Sequence, residues 1–177
     1  IVLEKTSAPE IDVPVGKNLI TNSEFEMSED GSLAGWENAV TAPGDATFEA
    51  GGGKITYSVE NVGEADWNIQ LKQMGLSLEQ GESYTLKCTL VSDVDRVVKV
   101  AVMTPSAGYA WHGGEDVVLT AGEAKDVTLT ITPKEEVFTD GITVDTGAGL
   151  FFSMGYVEGY TLGAHTVSIS NVSFVKN

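Results

Sequence analysis

The sequence predicts an all-β protein, built as a jelly-roll β-sandwich of two antiparallel sheets. Apolar and polar residues alternate with a period of two in several segments, which is typical of strands with one buried face. Clusters of Gly, Asp and Asn separate these segments, as turns between strands require. No window sustains the 3.6-residue period of an amphipathic helix.

The clearest predicted strands have a uniformly apolar inward side. They run over Lys54 to Val59, Ser83 to Leu90 and Arg96 to Met103, with inward residues Ile55, Tyr57, Val59, Tyr84, Leu86, Cys88, Leu90, Val98, Val100 and Val102. Their outward residues are polar or small and should meet water: Thr85, Lys87, Thr89, Lys99 and Ala101. Further strands are predicted at Asp66 to Gln73, Lys125 to Thr132, Leu150 to Met154 and Thr166 to Phe174. At Ser170 the last strand changes parity, which indicates a β-bulge or a bend.

Length and composition indicate one main domain. The 177 residues can bury a sizeable core, and no composition break divides them. Residues 1–17 mix proline and charge without periodicity, so we expect a linker or arm there and a single folded domain over residues 18–177. The start of the sequence lacks the pattern of a signal peptide, and we expect the chain to be an excised piece.

The charge balance excludes several classes of partner. A formal net charge of −16 repels nucleic acid and anionic membranes, whereas a neutral polymer suffers no such repulsion. No stretch approaches the roughly twenty apolar residues of a membrane span. The single cysteine, Cys88, cannot form an internal disulfide and is predicted to be a buried thiol.

Three segments, in this order, resemble a known group of carbohydrate-binding modules, families 4, 9, 16 and 22. The segments are NLITNSEFE with a following GW (residues 18–36), DWNIQLKQMGLSLEQGESYTLKCTLVS (residues 66–92) and VSISNVSF (residues 167–174). The order is more specific than any single segment, and family 4 is the most similar. The resemblance implies a galactose-binding-like jelly roll whose concave sheet holds a single glycan chain in a groove. It also implies a secreted or cell-surface location and a catalytic domain, a glycoside hydrolase, in the same polypeptide.

Trp67 and Gln70 are the first candidate carbohydrate-binding residues. Sugar rings stack their C–H faces on aromatic side chains, while their hydroxyls need amides, carboxylates or hydroxyls. By resemblance, Trp67 matches a strand-borne stacking tryptophan and Gln70 a polar contact position. An alternative stays open, because Trp67 shares the parity of Ile69 and Leu71 and could belong to the core.

Tyr109 and Trp111 form the second candidate set, in the segment SAGYAWHGGED. Core aromatics rarely cluster in a Gly-rich loop, and the two residues alternate, so they can face the same side. By resemblance, the family carries an aromatic sugar platform in this loop. We interpret His112 as a bystander or a hydrogen-bonding residue at the rim, because no partner with metal-ligand spacing accompanies it.

Ser153 and Tyr156, in GLFFSMGYVEGY, match a late strand of the concave face by resemblance and complete the candidate groove. Phe151, Phe152 and Met154 are interpreted as core or packing residues. Trp36 is expected to be a structural tryptophan at one end of the sandwich.

No cofactor is expected to be required, but a structural calcium ion stays open. Modules of this group often hold calcium with an acidic residue of the first segment, here Glu24 or Glu26, and an aspartate of the last strand. Ser170 beside Asn171 replaces that aspartate, which removes a charged oxygen that Ca²⁺ prefers.

An enzymatic role has little support in the sequence. The jelly-roll hydrolase motif E-x-D-x-x-E finds its nearest match in EIDVPV (residues 10–15), which lacks the final glutamate and carries Pro14. Two histidines and one cysteine leave little material for a triad or a zinc centre. We therefore predict a non-catalytic module that binds a soluble β-glycan, either a β-glucan or a xylan. The alternatives are a cell-surface adhesion or structural domain and, less favoured, a jelly-roll glycoside hydrolase.

Overall fold

Ten β-strands build the part of the chain that the computed structural model describes, residues 13–177. They are β1 (Glu37–Val40), β2 (Asp45–Gly51), β3 (Lys54–Asn61), β4 (Ile69–Glu79), β5 (Tyr84–Ser92), β6 (Arg96–Thr104), β7 (Ala110–Leu119), β8 (Lys125–Ile131), β9 (Val144–Ser153) and β10 (His165–Lys176). Three short 3-10 turns are interspersed among them within residues 13–177: Asp66–Asn68, Pro105–Ala107 and Glu135–Val137.

The strands pair in two antiparallel five-stranded sheets. The order is β1-β4-β9-β6-β7 in the first sheet and β2-β3-β10-β5-β8 in the second. The hairpins β2–β3 and β6–β7 join neighbours within one sheet, and the chain otherwise passes from one sheet to the other. This interleaved path is that of a jelly roll, as the sequence predicts.

The core lies between the two sheets and contains the inward sets predicted from alternation. Ile55 and Tyr57 of β3, Leu86 of β5 and Val98 of β6 have no exposed surface. Cys88 is 2% exposed, and burial raises the pKa of its thiol to about 12. The period-two pattern therefore located both the core and the outer faces of these strands.

Three strands were not predicted: β1, β2 and β7. β1 has only four residues, and β7 carries two consecutive glycines, so neither has a long alternating run. The strand predicted to start at Asp66 begins at Ile69 instead, and Asp66–Asn68 forms a 3-10 turn. The prediction failed there because Asn68 turns its side chain back to the preceding backbone, which a strand residue does not do.

Ala101 was predicted to face water, and this is wrong, since it has no exposed surface. It lies in β6, paired with Phe151 of β9 on one side and Gly114 of β7 on the other, where a methyl group is too short to reach solvent. Two other predictions are confirmed. The pairing of β10 with β5 shifts register between Ser170 and Ser173, and Trp36 is buried with its ring centroid 5.0 Å from that of Phe25.

Residues 13–17 lie against the domain. The amide of Val13 donates a hydrogen bond to Oε1 of Glu79, and Val15 bridges Lys176 in parallel. Most of the predicted arm, and the start of EIDVPV, lie outside the described residues. Within residues 13–177, no helix is long and apolar enough to cross a membrane.

Candidate functional site

The outer face of the first sheet carries cross-strand rows of side chains that the register defines. One row crosses from Ala39 in β1 through Gln70, Ser153 and Lys99 to Asp116 in β7. The next row runs in parallel through Glu37, Lys72, Phe151, Ala101 and Gly114. Phe151 and Ala101 in the middle of the second row are buried, and Gly114 at its β7 end has no side chain, so this part of the face is low.

A cavity of about 650 Å³ opens over this face, and we call it the aromatic cavity. Three exposed aromatic residues line it: Trp67 (57% exposed), Tyr109 (62%) and Trp111 (40%). Its other lining residues are Ala39, Thr41, Asp66, Gln70, Lys72, Lys99, Met103 and Ser153. Flat apolar rings and hydrogen-bonding groups therefore share one concave surface.

Trp67 owes its position to the buried amide of Asn68. Oδ1 of Asn68 accepts hydrogen bonds from the amides of Glu64 (2.9 Å) and Ala65 (2.8 Å), and Nδ2 donates to Oγ1 of Thr41 (3.0 Å). These bonds fold the chain into a turn before β4. The exposure of Trp67 excludes the alternative that it is a core residue, even though Ile69 and Leu71 are fully buried.

A β-bulge turns Trp111 towards the cavity. The pairing of β6 with β7 shifts between Val102 and Met103, so Met103 lies opposite Trp111 instead of His112. One extra residue exchanges the two faces of a strand, which places Trp111 outside and His112 inside. The indole lies over Gly114, where a Cβ atom would come within 2.5 Å of Cζ2.

Tyr109 precedes β7 and adopts φ = 60°, a left-handed conformation that is rare for a large side chain. It follows the turn Pro105–Ala107 and Gly108, which also has positive φ. The backbone thus brings Tyr109 to the same cavity as Trp111, as their alternation predicted, although the structure places Trp111 in a strand and not in a loop.

Gln70 and Ser153 lie side by side in the floor of the aromatic cavity. Nε2 of Gln70 donates a hydrogen bond to Oγ of Ser153 at 3.0 Å. Ser153 is 5% exposed, so only its hydroxyl edge reaches the cavity. An amide has two donor hydrogens and a carbonyl, and this pairing leaves one hydrogen and the oxygen of Gln70 for a ligand.

A second cavity of about 580 Å³ continues the groove, and we call it the tyrosine cavity. It shares Asp66, Lys99 and Ser153 with the aromatic cavity and adds Tyr156, Tyr160, Glu158, Asp116, Val97 and Val118, together with Ala65 and Val157. Tyr156 was predicted with the other groove residues, but it lines this cavity and not the aromatic one. Its amide donates to the carbonyl of Ala65 at 3.1 Å, beside the turn that carries Trp67.

His112 is a buried structural residue and not a rim residue. The amide of Lys134 donates to Nδ1 (2.9 Å), which leaves the ring proton on Nε2, and this nitrogen donates to Oγ1 of Thr104 (2.7 Å). Burial lowers the pKa of His112 from its usual value of 6.5. The neutral ring links β6, β7 and the segment after β8 and has no free nitrogen for a ligand.

The two acidic residues considered for calcium, Glu24 and Glu26, lie at the surface. Glu26 is exposed, its amide donates to Oδ1 of Asn22, and its neighbour Glu24 is also exposed. Among residues 13–177, no group of three or more His, Cys, Asp or Glu side chains comes close enough together to hold a metal ion. Ca²⁺ prefers six to eight oxygens, several of them charged.

Several groove residues were not singled out from the sequence: Asp66, Lys72, Lys99 and Tyr160. Lys72 and Lys99 could have been predicted to lie on the outer face of the sheet, because both alternate with buried residues on strands that the period-two pattern located. Asp66 and Tyr160 lie outside strands, where period-two alternation carries no information.

The fold and the groove define a ligand-binding β-sandwich of the carbohydrate-binding type. The chain belongs to the family described as Carbohydrate binding domain (CBM_4_9), whose model matches residues 17–147. No curated protein sequence matches it.

Solved structures share the fold at low sequence identity. A structure described as a family 4 carbohydrate-binding module has a TM-score of 0.69 at 18% identity, and the match covers 89% of this chain and 99% of that one. The N-terminal cellulose-binding domain of β-1,4-glucanase C from Cellulomonas fimi has a TM-score of 0.62 at 21% identity. That match covers 91% of this chain and 98% of the other. The xylanase 10B modules from Clostridium thermocellum, solved with xylohexaose, have a TM-score of 0.56 at 16% identity. That match covers 90% of this chain and 28% of the other.

Proposed function

We propose that this chain is a non-catalytic module that holds a single chain of a soluble β-glycan, a β-glucan or a xylan, across the groove of the first sheet. Trp67, Tyr109 and Trp111 act as stacking platforms for pyranose rings, and Gln70 and Ser153 bond to sugar hydroxyls. The observation that carries the proposal is the convergence of these residues on the aromatic cavity. Apolar rings with a few placed polar groups are what a sugar requires.

Two solved relatives agree with this ligand class. One is described as a cellulose-binding domain and another was solved with xylohexaose. The concave mixture of aromatic and amide groups also favours a glycan over an adhesion partner, which would require a flatter apolar patch.

The module would act outside the cell and target a glycoside hydrolase in the same polypeptide to its substrate. Family membership supports an extracellular polysaccharide as the partner. The net charge of −16 disfavours nucleic acid and anionic membranes as alternatives.

The test is affinity electrophoresis against soluble xylan, mixed-linkage glucan, laminarin and a soluble cellulose derivative, followed by calorimetry with oligosaccharides. A solvent-exposed groove with a few stacking platforms should bind with a dissociation constant of ~10 to 100 μM, or roughly −5.5 to −7 kcal/mol. Retardation by none of these polymers would contradict glycan binding. Release of reducing ends by the purified protein would contradict the non-catalytic assignment.

A further inference from the structure

Charge is distributed unevenly along the groove. The aromatic cavity is lined by two cations, Lys72 and Lys99, and one anion, Asp66. The tyrosine cavity contains the same Lys99–Asp66 pair and adds two carboxylates, Asp116 and Glu158, but no further cation. By its lining residues, the aromatic half of the groove therefore carries a more positive charge than the tyrosine half, on a strongly acidic protein.

Of the two lysines that line the groove, Lys72 has the weaker ion pair. Its Nζ lies 3.5 Å from Oε1 of Glu37, whose side chain is 62% exposed and does not line the cavity. Lys99, in contrast, holds Oδ2 of Asp66 at 2.6 Å. Glu37 is mostly exposed and the two atoms lie at the longer distance, so this pair is weak and a ligand carboxylate can compete with Glu37 for Lys72.

The side chain of Lys72 is only 25% exposed, which limits the water that a ligand must displace. It projects from β4 on the same face as Gln70, two residues away, because successive side chains of a strand alternate. An ammonium and a free amide hydrogen therefore lie at neighbouring positions beside the aromatic platforms.

We propose that the groove selects glycans with an acidic substituent and places the carboxylate of a uronic acid against Lys72 in the aromatic cavity. This inference rests on the proposed function and refines its ligand class. An ammonium and a carboxylate form a charge-assisted hydrogen bond, which is stronger than a bond between neutral groups. Asp116 and Glu158 repel the same carboxylate from the tyrosine cavity, so the substituent also fixes which way the chain lies.

The experiment is calorimetry with matched oligosaccharides at an ionic strength of about 0.15 M, where charges beyond ~8 Å are largely screened. The ligands are β-1,4-linked glucose and xylose hexaoses, each with and without one glucuronic acid. One of the two backbones, glucose or xylose, should bind. For that backbone, we expect the hexaose with glucuronic acid to bind about fivefold more tightly than the neutral hexaose, which is the scale of one favourable exposed ion pair. Lys72→Met should abolish this preference, so that the acidic and neutral members of the pair bind with affinities in a ratio of about one.

Lys87→Met is the matched control, because Lys87 is an exposed lysine of β5 in the second sheet and its loss changes the net charge equally. It should keep the preference for the acidic ligand. Equal affinities for the acidic and neutral members in the wild type, or a preference that survives Lys72→Met, would overturn this inference while leaving glycan binding intact. Failure of every hexaose to bind would instead overturn the proposed function and this refinement with it.

Discussion

Nζ of Lys99 in β6 lies 2.6 Å from Oδ2 of Asp66, in the turn that carries Trp67. The pair stands where the aromatic and tyrosine cavities meet, and both residues line both cavities. The hydrogen bond to Asp66 raises the pKa of Lys99 above its usual value. The pair thus connects β6 of the first sheet to the turn that carries the exposed Trp67.

Lys99→Met should weaken glycan binding by about threefold or more, or ~0.7 kcal/mol, because the turn at Trp67 loses one of its restraints. The free energy of unfolding should fall by less than about 1 kcal/mol, because both partners are about one-third exposed. Calorimetry and chemical denaturation measure the two quantities. Lys125→Met, at an exposed site in the second sheet, is the control for charge. Unchanged glycan affinity in Lys99→Met would contradict this role.

Trp111→Ala should weaken binding at least about tenfold, which corresponds to about 1.4 kcal/mol, because a pyranose ring loses a flat stacking surface. The melting temperature should shift little, because the indole is 40% exposed and lies outside the core. Calorimetry and thermal unfolding of the same samples provide the check. Trp111→Phe keeps an aromatic face and should retain much of the affinity. If the alanine variant binds as well as the wild type, the assignment of Trp111 to the binding site is wrong.

Trp67→Ala should likewise weaken binding and leave the fold stable, since the residue is 57% exposed on a turn. The matched control is Trp36→Ala. Trp36 is 8% exposed, its Nε1 donates to the carbonyl of Asn22 at 2.9 Å, and its loss should cost about 3 to 5 kcal/mol through the cavity left behind. Denaturant titrations of both variants separate the two roles. A Trp67→Ala protein that unfolds as easily as Trp36→Ala, yet still binds glycan when folded, would contradict the groove assignment.

Calcium should contribute little to stability. Ser170 and Asn171 stand where the family tends to place a carboxylate, and the candidate acids Glu24 and Glu26 are both exposed. The melting temperatures in calcium and in chelator should nearly coincide. A ligand that binds only the folded state stabilises it by mass action, so a rise of many degrees with calcium would show that other oxygens complete a site.

Acidification should destabilise the fold through the buried pair of His165 and Arg96. Nη1 of Arg96 donates to Nε2 of His165 (2.8 Å), and Nδ1 of His165 donates to the carbonyl of Gly163 (2.8 Å). Burial lowers the pKa of His165 from 6.5, and the guanidinium lowers it further. The unfolded chain therefore binds more protons than the folded one near its ordinary pKa, and stability falls as the pH drops below about 6.5.

The free energy of unfolding should therefore decrease between about pH 7 and 5. His165→Gln should flatten this slope, because the glutamine oxygen can accept from Arg96 without titrating. His112 has a pKa lowered in the same direction by burial and should supply the rest of the slope. A wild-type stability that does not change over this range would contradict the prediction.

Alternation by itself was enough to predict the sandwich, the inward residues of β3, β5 and β6 and the break near Ser170, because a strand that buries one face must alternate. The family resemblance, and not alternation, predicted Gln70 and Ser153 as groove residues, and both line the aromatic cavity. The conclusions from alternation depend on contacts between neighbours in the sequence or on the simple division between core and solvent.

The tertiary structure decided which way the exposed aromatic side chains point. Trp67 has the parity of a core residue, and it is exposed because Asn68 bonds back to Glu64 and Ala65. Trp111 faces the cavity because a bulge between β6 and β7 shifts the register by one residue. Pairing between strands far apart in the chain also created the Lys99–Asp66 contact and the division of the groove into two cavities. Such pairings depend on long-range register, which the pattern of a single strand does not contain.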